Sequence, residues 1–88
     1  MNCDLYILRL SDNRLYIGIS KNPQKRLMYH RQSKGAKFTK YSKNPTLVYT
    51  EEFPDLINAM RREKQIKGWA RVKKEALIKG DLKLLKSL

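Results

Sequence analysis

The stretch from Leu5 to His30 constrains the fold most. Leu5-Tyr6-Ile7-Leu8 and Leu15-Tyr16-Ile17-Gly18-Ile19 are short apolar runs rich in aromatic and β-branched residues, and Ser11-Asp12-Asn13-Arg14 separates them. Asp and Asn tolerate positive φ, so two such runs around them read as an antiparallel hairpin. We expect a strand from Leu5 to about Leu10, a turn over Ser11 to Arg14 and a second strand from Leu15 to Ile19. Along the second strand Leu15, Ile17 and Ile19 alternate with Tyr16 and Gly18, so the aliphatic side is the expected core face. Gly18 inside a strand marks a bulge or a close approach, whether by a phosphate backbone or by a packed neighbour. For Tyr6 and Tyr16 to act together they must leave the hairpin from one face. A plain two-residue Asp12-Asn13 turn would send them to opposite faces, so a three-residue loop or a bulge is required.

The rest of the chain follows local signals. Asn22-Pro23 pairs an N-cap residue with a proline suited to the first helical position. The helix it opens is expected to reach Gln32 or Ser33. Arg26 and His30 then share one of its faces, and Leu27 anchors it. Residues 33–45 read as a basic loop with Phe38 and Tyr41 interleaved. A third strand, Thr46 to Phe53, is expected to alternate Leu47, Tyr49 and Glu51 against Val48, Thr50 and Glu52. Pro54-Asp55 opens a second helix that runs to Lys67 and stops at Gly68. Its expected apolar stripe is Leu56, Ala59, Met60, Ile66 and the stem of Lys67, and Glu63 falls inside it. A carboxylate on that side must meet a cation, either a basic side chain or a metal ion. A third helical segment, Trp69 to Lys79, ends at Gly80-Asp81, and Asp81 caps a short last helix, Leu82 to Leu88.

Charge narrows the partner class. The chain of 88 residues has a net charge of +12 at pH 7 and a pI near 10.1. No acidic residue occurs between Asp12 and Glu51, whereas Arg14, Lys21, Lys25, Arg26, Arg31, Lys34, Lys37, Lys40 and Lys43 all do. Such a field attracts a polyanion, and binding should weaken steeply with salt. DNA is the expected partner, with RNA left open. Lys21, Lys25, Arg31, Lys34, Lys37 and Lys40 are the candidate nucleic-acid contacts; the mixed aromatics suit base stacking or pin the loop to the core, with pinning the first expectation for Phe38 and Tyr41 left open. A generic solvated basic surface is the plainer alternative.

Size and composition exclude other classes. A chain this short buries roughly 60–70% of its unfolded surface, enough for one domain over residues 1–88. One cysteine and one histidine cannot build a closed zinc site, and a lone cysteine fits a reducing, cytoplasmic setting. No apolar run is long enough to span a membrane, and the N-terminal residues lack the layout of a signal peptide.

Cutting a phosphodiester requires an activated water, cations for the developing charge, and a metal or acid for the leaving oxygen. Arg26 can hold a phosphate oxygen, His30 or a tyrosine can act as base, and Glu63 can hold one Mg²⁺. Spacing alone leaves Glu63 open between a structural ion pair and a metal ligand.

Taken jointly, these residues carry a resemblance. Leu5-Tyr6-Ile7, then Tyr16-Ile17-Gly18, then Arg26, Leu27 and His30, then Gly35-Ala36-Lys37 and Ala59-Met60-Arg61-Arg62-Glu63, resemble the GIY-YIG nuclease family, in particular its small stand-alone bacterial members. The resemblance covers Asp4 to about Ile78. It implies an α+β fold, a small three-stranded antiparallel sheet flanked by helices, and Mg²⁺- or Mn²⁺-dependent cleavage of DNA with one ion. It implies that Tyr6 and Tyr16 are the motif tyrosines, one of them the base or its assistant. Arg26 would bind phosphate, His30 would be an accessory base or orienter, and Glu63 would bind the metal. Two departures stand out. The first motif lacks its glycine, and Lys74 and Glu75 occupy the region where many members carry an asparagine. Two other readings share the fold: a nucleic-acid-binding module without catalysis, and a nuclease subunit that needs a partner protein for targeting.

Overall fold

A computed structural model describes residues 2–31 and 45–87 of the chain. Its hairpin is built from β1 (Cys3–Arg9) and β2 (Leu15–Ser20). The Leu10 carbonyl accepts the Asn13 N–H at 2.8 Å, and the Leu10 N–H donates to the Arg14 carbonyl at 2.8 Å. The loop is therefore Ser11-Asp12-Asn13, a turn completed by Asn13 in the left-handed region at φ 73°. The Asp12 carboxylate accepts the Arg14 N–H at 3.1 Å and fastens the turn. This loop sets the register. Tyr6 lies opposite Gly18 and Leu8 opposite Tyr16, so the two phenols share a face.

Strand β3 (Thr46–Phe53) pairs antiparallel on the other side of β1, giving the order β2-β1-β3. The central strand is buried on both faces: Leu5, Ile7 and Leu8 are fully covered and Tyr6 is 1% exposed. The aliphatic face is thus one of two core faces. Over it, Leu5, Ile7 and Ile17 pack with Ile66 of α2 (Leu56–Lys67) and Leu77 of α3 (Arg71–Lys79). Under it, Tyr6, Leu8 and Leu10 pack with Leu27 of α1 (Pro23–Arg31).

The alternation expected along β3 breaks at one residue. Ile7 faces Tyr49 and Leu8 faces Leu47, which leaves Val48 as the extra residue of a bulge. Leu47 thereby joins Leu8 on the Tyr6 side, while Val48 and Tyr49 both pack on the aliphatic side.

The apolar stripe expected on α2 is rotated. Ala59 and Ile66 are buried and Arg62 and Glu63 are half-buried, whereas Leu56 and Met60 are 53% and 50% exposed. Residues 59, 62, 63 and 66 form the face at helical spacing. Arg62 turns inward because Glu51 of β3 accepts its Nε–H at 3.1 Å and because its guanidinium lies 5.2 Å over the Trp69 ring. Polar partners thus set the rotation that hydrophobicity alone assigns to Met60.

The caps are local and follow the sequence. The Asn22 side chain accepts the Lys25 N–H at 3.1 Å at the start of α1. Asp55 accepts the Asn58 N–H at 2.8 Å at the start of α2. Helix α3 begins at Arg71 rather than Trp69. It ends at Gly80, φ 72°, where the Gly80 and Asp81 N–H groups return to Leu77 and Ala76 carbonyls. Asp81 then caps α4 (Leu82–Ser87) by accepting the Leu84 N–H at 3.0 Å. The expected end of α1 beyond Arg31, the loop with Phe38 and Tyr41, the Gly35-Ala36-Lys37 motif and Leu88 lie outside the described residues.

Candidate functional site

The three-residue hairpin loop brings Tyr6 and Tyr16 together, with ring centroids 6.1 Å apart and planes tilted by 47°. The Tyr6 ring lies across Gly18. A Cβ at Gly18 would sit 2.6 Å from the Tyr6 hydroxyl oxygen and 2.7 Å from its Cζ. The close approach at this glycine is therefore made by the Tyr6 phenol. Burial, then the neighbouring Tyr16 phenol, pushes the Tyr6 hydroxyl up to about 12, against the lowering effect of a hydrogen bond and charge from Arg26. Such a phenol keeps its proton at neutral pH and serves as a donor. Tyr16, on the edge strand, is only half-buried.

Arg26 comes from the first turns of α1 and is exposed while it reaches Tyr6. Ser20, Lys21, Asn22, Lys25 and Arg26 surround a hollow of about 390 Å³, so two of the expected nucleic-acid contacts flank the arginine. His30 lies on α1 one turn after Arg26; its side chain and that of Arg31 are outside the described structure. Lys34, Lys37 and Lys40 lie outside the described residues.

Glu63 is on the covered face of α2, its side chain 22% exposed. The cation it meets is the Lys67 ammonium at 3.5 Å, one helical turn on. A pair this long, with Lys67 56% exposed, is worth about 0.3–0.5 kcal/mol and gives way to a stronger cation. Lys67 also lines a hollow of about 470 Å³ together with Tyr16. That hollow takes Leu10 from one face of the sheet and Ile17 from the other, so it wraps the free edge of β2. Glu63 is not among the residues that line it and meets the hollow only through Lys67.

Arg14, Lys67 and Lys74 line the same hollow. The sequence reading missed them as a group. Arg14 reads as one member of a long basic run, Lys67 as part of the apolar stripe of α2 through its stem, and Lys74 as an occupant of the region where many family members carry an asparagine. The single local signal was Lys67 at helical spacing from Glu63.

The donor set decides what metal it suits. Among the described residues no three His, Cys, Asp or Glu side chains gather, so no closed protein cage forms there. Mg²⁺ is commonly held by one or two carboxylates, with water and phosphate oxygens completing the shell. Glu63, half-buried and paired only to an exposed lysine at 3.5 Å, fits such an open one-carboxylate site. Glu75 does not offer itself as a second ligand. Arg9 donates to both of its oxygens, at 2.9 and 2.5 Å, and Arg71 adds a contact at 3.0 Å. These hydrogen bonds hold the Glu75 carboxyl down to about 2.

Comparison with known proteins shows the family and the fold. The family model for the GIY-YIG catalytic domain matches residues 2–76. A UPF0213 protein of Staphylococcus haemolyticus is 42% identical over 74 residues, which is 84% of this chain and 90% of that protein. A UPF0213 protein of Natronomonas pharaonis is 39% identical over 74 residues, 84% of this chain and 87% of that protein. The solution NMR structure of a UPF0213 protein from Bacillus halodurans superposes with a TM-score of 0.59 at 38% identity, covering 90% of this chain and 84% of that one. A protein from E. faecalis superposes with a TM-score of 0.63 at 29% identity, covering 91% and 85%. The chain belongs to the GIY-YIG family, alongside its small UPF0213 relatives.

Proposed function

We propose that this protein is an endonuclease that hydrolyses DNA phosphodiester bonds at a site of Tyr6, Tyr16, Arg26, His30 and Glu63, with one Mg²⁺ or Mn²⁺. The observation that carries the reading is the same-face pair of tyrosines with Arg26 reaching into it. Burial keeps the Tyr6 proton in place, so Tyr6 donates a hydrogen bond and positions its neighbours. Tyr16, nearer solvent on the edge strand, is the phenol that, once its own proton has passed to solvent, takes the proton of the attacking water. Arg26 donates to a non-bridging phosphate oxygen, with bidentate geometry available. His30, one turn further on the same helix face, orients the water. Glu63 would hold a divalent ion there, and that ion would supply positive charge to the phosphate and the departing oxygen. The basic run from Arg14 to Lys43 holds the polyanion, and a cytoplasmic setting with targeting by a partner protein completes the reading.

A second reading, binding without catalysis, has one observation in its favour: Glu75, in the asparagine region, is fully engaged by arginines. One assay separates them. Purified protein is incubated with single-stranded, duplex and branched DNA in Mg²⁺ or EDTA, beside Glu63→Ala and Tyr16→Phe. The nuclease reading requires cleavage by the wild type in Mg²⁺ alone, lost in both variants, with salt-sensitive binding kept. Binding with no cleavage of any substrate establishes the second.

A further inference from the structure

The geometry points to the hollow at the free edge of β2 as a second phosphate subsite, holding a phosphate that flanks the one under attack. Three cations line it from three separate elements: Arg14 from the hairpin turn, Lys67 from α2 and Lys74 from α3. No carboxylate is among its lining residues. Asp12 and Glu63 offset Arg14 and Lys67 in part, and Lys74 makes no ion pair among the described residues, so the space keeps an excess of positive charge that an anion relieves. At about 470 Å³ the hollow is in the range of ligand sites and can admit a phosphate with part of its sugar.

The fold spends interactions to hold this arrangement. Glu75, next to Lys74, grips Arg9 of β1 in a bidentate pair. Arg71 holds the same carboxylate and donates to the Asn13 carbonyl at 2.5 Å. This clamp fixes the helix of Lys74 against the turn of Arg14. Arg14 is paired to Asp12 through Nε at 2.5 Å, an arrangement that leaves its two terminal nitrogens to reach an anion. Lys67 is the cation shared with the site above. When Glu63 turns to a divalent ion, the Lys67 ammonium is released toward the hollow, so ion and flanking phosphate do not compete for one group. Tyr16 borders the hollow, which puts a phosphate bound there beside the reacting one. The word flanking rests on the proposed nuclease reading; anion binding in the hollow does not.

The test is binding without cleavage. In EDTA, the protein is titrated with a thymidine dinucleotide and a thymidine hexanucleotide, followed by amide NMR spectra that also report folding. The hexanucleotide should shift the amides of Leu10, Leu15 and Ile17 and bind about tenfold tighter than the dinucleotide, as a second charge-assisted contact allows. Arg14→Ala/Lys74→Ala should lose most of that gain and flatten the log–log salt dependence by about one to two contacts. Lys74→Ala alone should lose part of it, which guards against effects through the Arg14–Asp12 turn. Lys83→Ala/Lys86→Ala on α4 removes the same charge and should change the gain by less than about twofold. A double variant that keeps both the gain and the salt slope overturns the subsite. Hollow binding in EDTA, together with no cleavage of any substrate by the wild type in Mg²⁺, overturns the nuclease reading and leaves the subsite standing.

Discussion

Gly18→Ala tests the reasoning at its tightest contact. The new Cβ would lie 2.6 Å from the Tyr6 hydroxyl and 2.7 Å from Cζ. Ordinary carbon contacts fall at about 3.5–4.0 Å, so the phenol must move by about 1 Å. It has nowhere to go, because Tyr6 is 1% exposed and packed with Leu8, Leu10 and Leu27. Overpacking of this kind costs about 1–3 kcal/mol. Urea unfolding followed by Trp69 fluorescence, with Tyr6→Leu as the second arm of a double-mutant cycle, reads the stability effect. Leucine removes both atoms nearest the added methyl. Gly18→Ala should then be nearly neutral in the Tyr6→Leu background, giving a coupling of about 1–2 kcal/mol. An equal cost in both backgrounds, or no cost in the wild type, would refute the claim that Tyr6 dictates the glycine.

Three further outcomes follow from the same geometry. Tyr16→Phe should lower kcat by about 10²–10⁴ as loss of the base. Tyr6→Phe removes one positioning hydrogen bond and should cost about tenfold; single-turnover cleavage compares the two. Arg26→Lys keeps the charge but loses the fork, so kcat/KM should fall by about tenfold to a hundredfold. Glu75 titrates near 2 in the folded protein against an ordinary 4.5, so its stabilising contribution is present above pH 4.5 and lost as pH falls towards 2. Urea midpoints should drop over that window in the wild type, and Glu75→Gln should be less stable at neutral pH and show a shallower acid slope.

What was legible in the sequence was local. Asp12-Asn13 announced the turn, Asn22-Pro23 and Asp81 announced helix starts, and the need for a three-residue loop followed from asking two tyrosines to share a face. What was hidden depends on partners distant in the chain. The rotation of α2 is set by Glu51 and Trp69 acting on Arg62, so a stripe drawn from hydrophobicity assigned Leu56 and Met60 wrongly. The bulge at Val48 reflects pairing with β1, and no residue of β3 signals it. Burial of β1 on both faces came from its central place in the sheet. In the candidate site, Glu63 was legible as a carboxylate on a covered face because cost alone marks it. Lys74 was not, because a lysine on a helix looks the same whether it faces water or a hollow that two other elements complete.

The proposal on which the rest depends is that Glu63 holds a divalent ion close enough to Tyr16 for the two to act on one phosphate. Mn²⁺ added in substoichiometric amounts to labelled protein broadens the NMR signals nearest the bound ion. The account predicts that Glu63 and Tyr16 side-chain signals broaden first, and that Glu63→Ala abolishes the effect at Tyr16. Broadening that begins at Glu52, Asp55 or Asp81, with Tyr16 unaffected or equally affected in Glu63→Ala, would contradict it.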